Sequence, residues 1–496
     1  MPGRQFQYYF LFVAILAVAL CSASGSWARF EFEVPQKYSD VSLSRPLRNA
    51  SRFADNEVVS RDFVRIKKAE WSACHQKQDE IESFAIGDSQ SLSRFLESNK
   101  IVRSLQQIEE MDLLQSNAQT QPWSGDYWAY SRGILGARHF DPRFMDLSDW
   151  LARFNFIGNN STQTLLKQGG QAAVELLSPS EKYDLIIGDE SSALTSAMWA
   201  EGKRYYDSSG EVENWMGICH GWAAAAMMEP RPKQSIDLTS FDQHWRISLN
   251  PSEIKGLVSY NWATNNYASV LMGDRCNKKN PKRDENGRII DPECFDLNPA
   301  VWHLAVVNQM GIQKRSLIMD ASYDYEVWNQ PLNSYSYTYF NVLTKEPAID
   351  LEEATIRRED YTNDPYKRYR GPQTKFIVGI SMIVGYVVET NANQQETDSE
   401  QDDQIRYVNY EYELELDNVG NVIGGEWYQT AHPDFIWTPL KQAHPRSQMD
   451  SNLQYREWNG TGVVPTKWAN AAKLAAPYGI VLDSLTTVIN YKSATE

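Results

Sequence analysis

Residues 211–228 read EVENWMGICHGWAAAAMM, and this stretch decides how the rest of the chain is read. Gly217 interrupts the segment before Cys219, and residues 222–228 are an unbroken run of good helix formers. Four consecutive alanines, 223–226, make a helix of little bulk that can lie buried close against its neighbours. A thiol in the first turn of such a helix sits at the positive end of the macrodipole, where the thiolate is favoured. Cys219 is therefore either a nucleophile or an inert core cysteine, and the remainder of the chain must supply a base.

The composition sets limits around this helix. A chain of 496 residues with 42% hydrophobic and 23% charged residues is globular and large enough for two to four domain-sized units. Its net charge of −16 argues against nucleic acid or an anionic membrane surface as partner. Near the start, Arg4 precedes the apolar run Tyr8 to Leu20, which small residues follow at Ser22, Ala23, Ser24 and Gly25. That run is short for a membrane span and reads as a cleaved secretory signal, so an exported, extracellular protein is expected.

Four divisions follow from texture. Residues 1–23 form the signal, and 24–118 a polar N-terminal helical module, either a prosegment or a plain domain. A core occupies 119–445, and 446–496 is a C-terminal extension with a helix at Lys467 to Ala476 and a final strand. Past the signal, Cys74, Cys219, Cys276 and Cys294 remain. In an oxidising compartment Cys276 and Cys294 are expected to bridge the charged loop between them, and Cys74 either stays reduced or masks Cys219.

The base is sought among the strands expected after the alanine helix. Trp302 to Met310, WHLAVVNQM, alternates between two faces, as does Arg315 to Ser322, RSLIMDAS. If Gly311 and Ile312 form a two-residue type II′ loop, His303 falls opposite Asp320, within reach of an imidazole–carboxylate bond. The expected constellation is Cys219 as nucleophile, His303 as base and Asp320 as its orienting acid. The Cys219 backbone N–H and Asn214 are candidates for an oxyanion hole, and Trp215, Trp222 and Trp302 for the walls of a dry channel. Further on, Phe376 to Glu389 and Arg406 to Asp417 read as strands, with a mobile polar loop between them at 391–403. No histidine or cysteine spacing points to zinc, and there is no phosphate-cradling loop, so the residues themselves require no cofactor and no metal.

The segments NWMGICHGWA (214–223), AVWHLAVVNQMG (300–311), LIMDASYDYEVWNQP (317–331) and GGEWYQTAHPDFIW (424–437) carry a family likeness. In them the chain resembles the transglutaminase elicitor family, secreted enzymes of oomycetes and marine bacteria. Val327, Trp328, Asn329, Gln330 and Pro331 match the core of the surface peptide that plants recognise in those proteins. The residues after Pro331, LNSYSYT, depart from its more basic continuation. The resemblance implies an α+β, papain-like core with the nucleophile on a buried helix packed against a mainly antiparallel sheet. It also implies a secreted proenzyme and calcium-assisted cross-linking of glutamine to lysine on protein substrates, with polyamines as alternative acceptors. Carried over, nucleophile, base and acid fall on Cys219, His303 and Asp320. The same triad would serve a cysteine protease or a glutamine deamidase, and an exported recognition protein with a structural Cys219 is the non-enzymatic alternative.

Overall fold

A computed structural model describes residues 29–30 and 88–495, apart from 275–277, 279–280, 286–287, 292–293, 295–296, 323–325 and 429–430. The expected signal, Cys74, Cys276 and most of the N-terminal module lie outside the described residues. Among those described, no helix is long and apolar enough to cross a membrane.

The elements that position the site are, in chain order, helices α1 (Cys219–Met228), α2 (Pro251–Thr264), α3 (Pro299–Val306), α4 (Thr466–Ala475) and α5 (Asp483–Thr495). The strands are β1 (Tyr267–Gly273), β2 (Ile318–Asp320), β3 (Asn329–Phe340), β4 (Phe376–Val388), β5 (Gln404–Leu416), β6 (Val422–Trp427) and β7 (Phe435–Pro439). They join in the order β1-β7-β2-β3-β4-β5-β6, and every neighbouring pair runs antiparallel. The mixture of helix with a mainly antiparallel sheet is as the sequence predicts.

Helix α1 starts at Cys219 and is buried over its first eight residues. Its small side chains let it press on α2: a Cβ added to Gly221 would lie 2.3 Å from the Ser259 carbonyl oxygen and 2.6 Å from Ala263 Cβ. Trp222 is fully buried and donates its indole N–H to the Trp123 carbonyl at 3.2 Å. This ties the aromatic 123–130 segment across the helix start. Gly217 permits the same approach, because a Cβ there would meet Tyr127 O at 2.6 Å. The backbone of Ile218 donates to Tyr127 O, and that of Tyr130 donates to Met216 O.

The sheet divides the apolar interior into two main cores. Ile318 and Trp437, directly paired, face the core that holds Cys219 and α1. Their neighbours Met319 and Ile436 face the second core, which holds Trp302 and α3. That split is the alternation of a pleated strand, in which consecutive side chains leave on opposite faces.

Three expectations are corrected. WHLAVVNQM is helix, not strand: α3 continues into a π-helical stretch, Val307–Ile312. Asn298 caps α3 by accepting the Ala300 N–H at 2.9 Å, and Pro299 stands at its first position, a favoured helix start. Gly311 lacks the positive φ that a type II′ loop demands there. Its missing side chain instead makes room for the Tyr335 hydroxyl, 2.5 Å from where a Cβ would lie. The hairpin that does exist pairs β2 with β3, setting Asp320 opposite Asn329.

The final segment is the helix α5 rather than a strand, packed on α2. Trp468, Ala472, Leu485 and Ile489 of the C-terminal region belong to the same core as Cys219. The 391–403 stretch is tied down as well: Asp398 meets Arg231 at 2.8 Å and Lys255 at 2.5 Å, and Asp403 also pairs with Arg231. At the other end, Leu92, Phe95, Leu105 and Ile108 lie in the second core, and strand 115–117 pairs with β3.

Candidate active site

Cys219 has no exposed surface. It stands as a thiol outside any disulfide, so the arrangement in which Cys74 masks it is not the state of this structure. Burial pushes the thiol well above its usual range, and the Glu389 carboxylate adds to this. Hydrogen bonds from the Asn329 backbone and side chain act the other way, and Asp320 raises it again. Burial disfavours the charged form of any acid, while a donor aimed at the sulfur favours it.

Asn329 reaches the sulfur, its amide Nδ2 lying 4.0 Å from Cys219 Sγ. Its orientation is set from behind by Trp437, whose indole N–H donates to Asn329 Oδ1 at 2.6 Å. Since an indole N–H can only donate, the amide oxygen must face it and the NH₂ must face the sulfur. Asp320, directly across the β2–β3 pair, is fully buried. Its Oδ1 accepts from the Trp328 N–H at 2.8 Å and from the Ser322 hydroxyl at 2.7 Å, fastening the connection between the strands.

His303 lies across the sheet from this group. Its Nδ1 bonds the Tyr412 hydroxyl at 2.9 Å, and its ring meets Tyr337 edge-on at 4.8 Å. Among the described residues, no hydrogen bond or ion pair joins His303 to Cys219 or Asp320. With no carboxylate beside it, burial lowers its pKa to about 3. The expected His303–Asp320 pair is therefore absent, because its register depended on a hairpin that is a helix.

The remaining candidates separate in the same way. Asn214 is exposed in the turn before α1, and its carbonyl accepts the Tyr127 hydroxyl at 3.1 Å. Trp215 and Trp222 are both buried, and Trp222 shares the core that holds Cys219. Trp302 packs in the second core, edge-on to Tyr410 at 5.5 Å. Val327, Trp328, Asn329, Gln330 and Pro331 are all buried, and the VWNQP segment runs into the start of strand β3. Cys294 is disulfide-bonded, and Cys276, its expected partner, lies outside the described residues.

The sequence reading missed the roles of Asn329, Trp437 and Glu389. For Asn329 a signal existed: it sits in a motif already singled out, at the start of a strand. For Trp437 and Glu389 no local pattern marks proximity to residue 219, since both arrive from strands more than a hundred residues downstream.

No curated protein matches the chain at a significant level. Among solved structures, the crystal structure of the GP42 transglutaminase from Phytophthora sojae is similar, at 21% identity and a TM-score of 0.47. The alignment covers 72% of this chain and 91% of that one. The family model described as transglutaminase elicitor matches residues 88–460, a span that takes in α1, strands β1 to β7 and the Asn329–Cys219 contact. On that match, the chain belongs to the transglutaminase elicitor family.

Proposed function

We propose that this protein is a secreted protein-glutamine γ-glutamyltransferase that works through a thioester on Cys219. The observation that carries the reading is the Asn329 amide directed at a cysteine on the first turn of a buried helix, within a chain of this family. An antiparallel sheet behind a cysteine helix also accords with a papain-like core.

In the first step the Cys219 thiolate attacks the side-chain amide carbon of a glutamine. The proton given up by the Cys219 thiol passes to the amide nitrogen, the C–N bond breaks, ammonia leaves, and a thioester remains. A lysine amine then attacks the thioester carbon, the C–S bond breaks, and the amine proton passes to the departing sulfur, restoring the Cys219 thiol. The backbone N–H of Cys219 is the donor offered to the oxyanion of each step, with Asn214 held in reserve on its turn. Trp215 and Trp222 keep water from the thioester, which favours transfer over hydrolysis. Asp320 is the acidic member, acting through its charge and its pairing with Asn329. His303 is left out, since its ring is committed to Tyr412.

Among the described residues no group of three or more His, Cys, Asp or Glu side chains is arranged to hold a metal ion. No step is therefore routed through calcium. Because Cys219 is fully covered, the reaction requires that the 123–130 segment or its neighbours open to admit a glutamine side chain.

The test is incorporation of a fluorescent primary amine into a glutamine-rich protein, with and without calcium and reductant. Labelling that Cys219→Ala abolishes supports the proposal. Cleavage of the acceptor would mark a protease, ammonia release without labelling a deamidase, and no reaction at all a recognition protein.

A further inference from the structure

We infer that residues 390–403, the connection from β4 to β5, are a latch that holds the 123–127 stretch shut across the start of α1, with Asp403 as its catch. The inference rests on the reading of Cys219 as the reacting thiol, which a glutamine side chain reaches only once that stretch lifts.

The stretch is held from two sides in turn. The start of α1 takes its two ends: the Trp222 indole N–H donates to the Trp123 carbonyl at 3.2 Å, and the Ile218 N–H to the Tyr127 carbonyl at 2.8 Å. Gly125 is pressed onto the same indole, since an added Cβ would lie 3.1 Å from the Trp222 ring. The residues between the ends are fastened by the 390–403 connection and by α2. Asp403 Oδ1 accepts the Ser124 N–H at 2.8 Å, and its Oδ2 accepts the Gln121 side-chain amide at 2.6 Å. The Ser124 hydroxyl donates to the Val388 carbonyl at 2.7 Å and accepts the Gln404 N–H at 2.9 Å. One residue on, the Gly125 carbonyl accepts the Thr390 N–H at 2.8 Å. Asp126 Oδ2 accepts the Ala392 N–H at 3.0 Å. Lys255 of α2 completes the set, donating from Nζ to the Ser124 carbonyl at 2.7 Å.

Two features distinguish this arrangement from plain packing. The fastening is concentrated in one cluster of two acids and two bases: Arg231 bonds both Asp398 and Asp403, and Lys255 bonds Asp398 at 2.5 Å. None of these side chains is more than 11% exposed. Loss of one charge leaves another buried without its full complement, so the cluster weakens as a unit. The stretch also ends against strained backbone. Trp128 stands at φ +51°, in the left-handed region that a bulky residue enters only under constraint. Its N–H donates to Asp126 Oδ1 at 2.7 Å, on the same carboxylate that accepts the Ala392 N–H. Release of the connection therefore loosens the bond that keeps Trp128 in that conformation.

The test uses the full chain and follows alkylation of Cys219 by iodoacetamide, read by mass spectrometry of the peptide that carries it. A covered thiol reacts only through local opening, so its rate reports how often the stretch lifts. Asp403→Asn keeps the shape of the catch but removes its charge, and Cys219 should then be alkylated about tenfold faster than in wild type. Ser124→Ala removes the hydroxyl that joins Val388 to Gln404 and leaves no charge unpaired. It should give about a fivefold rise, and it stands in should Asp403→Asn fold poorly. Glu413→Gln breaks a buried pair with Arg370 at the far end of β5 and should leave the rate near that of wild type. Wild-type rates in both latch variants, or an equal rise in Glu413→Gln, would overturn the inference. Alkylation needs no turnover, so faster alkylation without any amine incorporation would sink the transferase reading and leave the latch standing.

Discussion

Asn329 and Cys219 meet amide to sulfur at 4.0 Å, although 110 positions separate them in the chain. The contact joins the start of strand β3 to the start of helix α1, and every other assignment at this site is arranged around it. A hydrogen bond to a charged group contributes about 1.5–3 kcal/mol, so its loss is measurable. Asn329→Ala should raise the Cys219 thiol and slow amine incorporation by roughly tenfold to a hundredfold. A rate within twofold of wild type would remove Asn329 from the site.

Trp437 holds the Asn329 amide in the useful orientation through its 2.6 Å bond. Trp437→Phe keeps an aromatic ring in the core but removes the donor, leaving Asn329 able to flip. The expected result is about a fivefold fall in incorporation, in line with one neutral hydrogen bond of roughly 1 kcal/mol. The thermal midpoint should move by only a few degrees, as read by circular dichroism.

His303 is expected to behave as a structural residue. Its pKa is depressed to about 3, below the ordinary value of 6.5, so the unfolded chain binds a proton that the folded chain refuses. The stability this contributes is complete above pH 6.5 and is lost as pH falls from there toward 3. Its slope is about 1.4 kcal/mol per pH unit within that window. Urea midpoints measured across the window should show His303→Phe with a shallower acid loss than wild type. Abolished thiolate formation at Cys219 in a folded His303 variant would instead return this residue to the site.

Close packing of α1 on α2 makes Gly221 intolerant of a side chain. Gly221→Ala should cost about 1–3 kcal/mol by overpacking, despite the better helix propensity of alanine. Gly158 offers the control, as an added Cβ there meets nothing within 4 Å. Gly158→Ala should leave stability unchanged or raise it slightly, and equal effects of the two substitutions would contradict the packing described.

Much of the local structure was legible from neighbouring residues. The alanine run marked α1, and the apolar run ending at Val388 and the Tyr/Glu alternation of 407–415 marked β4 and β5, which pair with each other in register. The cue for α3 was present too, in Asn298–Pro299, but the alternation of His303, Ala305 and Val307 and a following glycine outweighed it. A run buried on all sides carries no reliable period, so strand and helix cannot be told apart from it. The final helix α5 was misread for a related reason: β-branched residues favour strands in isolation, and docking on α2 overrides that preference.

By itself, then, the amino-acid sequence determined that a helix begins at Cys219 and which family motifs the chain carries. These are properties of adjacent residues, where propensity and spacing act directly. Tertiary structure alone decided the company the sulfur keeps. Pleating sent Asn329 toward it, and the sheet put His303 behind a wall of side chains. Contacts between distant segments depend on register and layer order, and a single wrong element moves a residue from one face to the other.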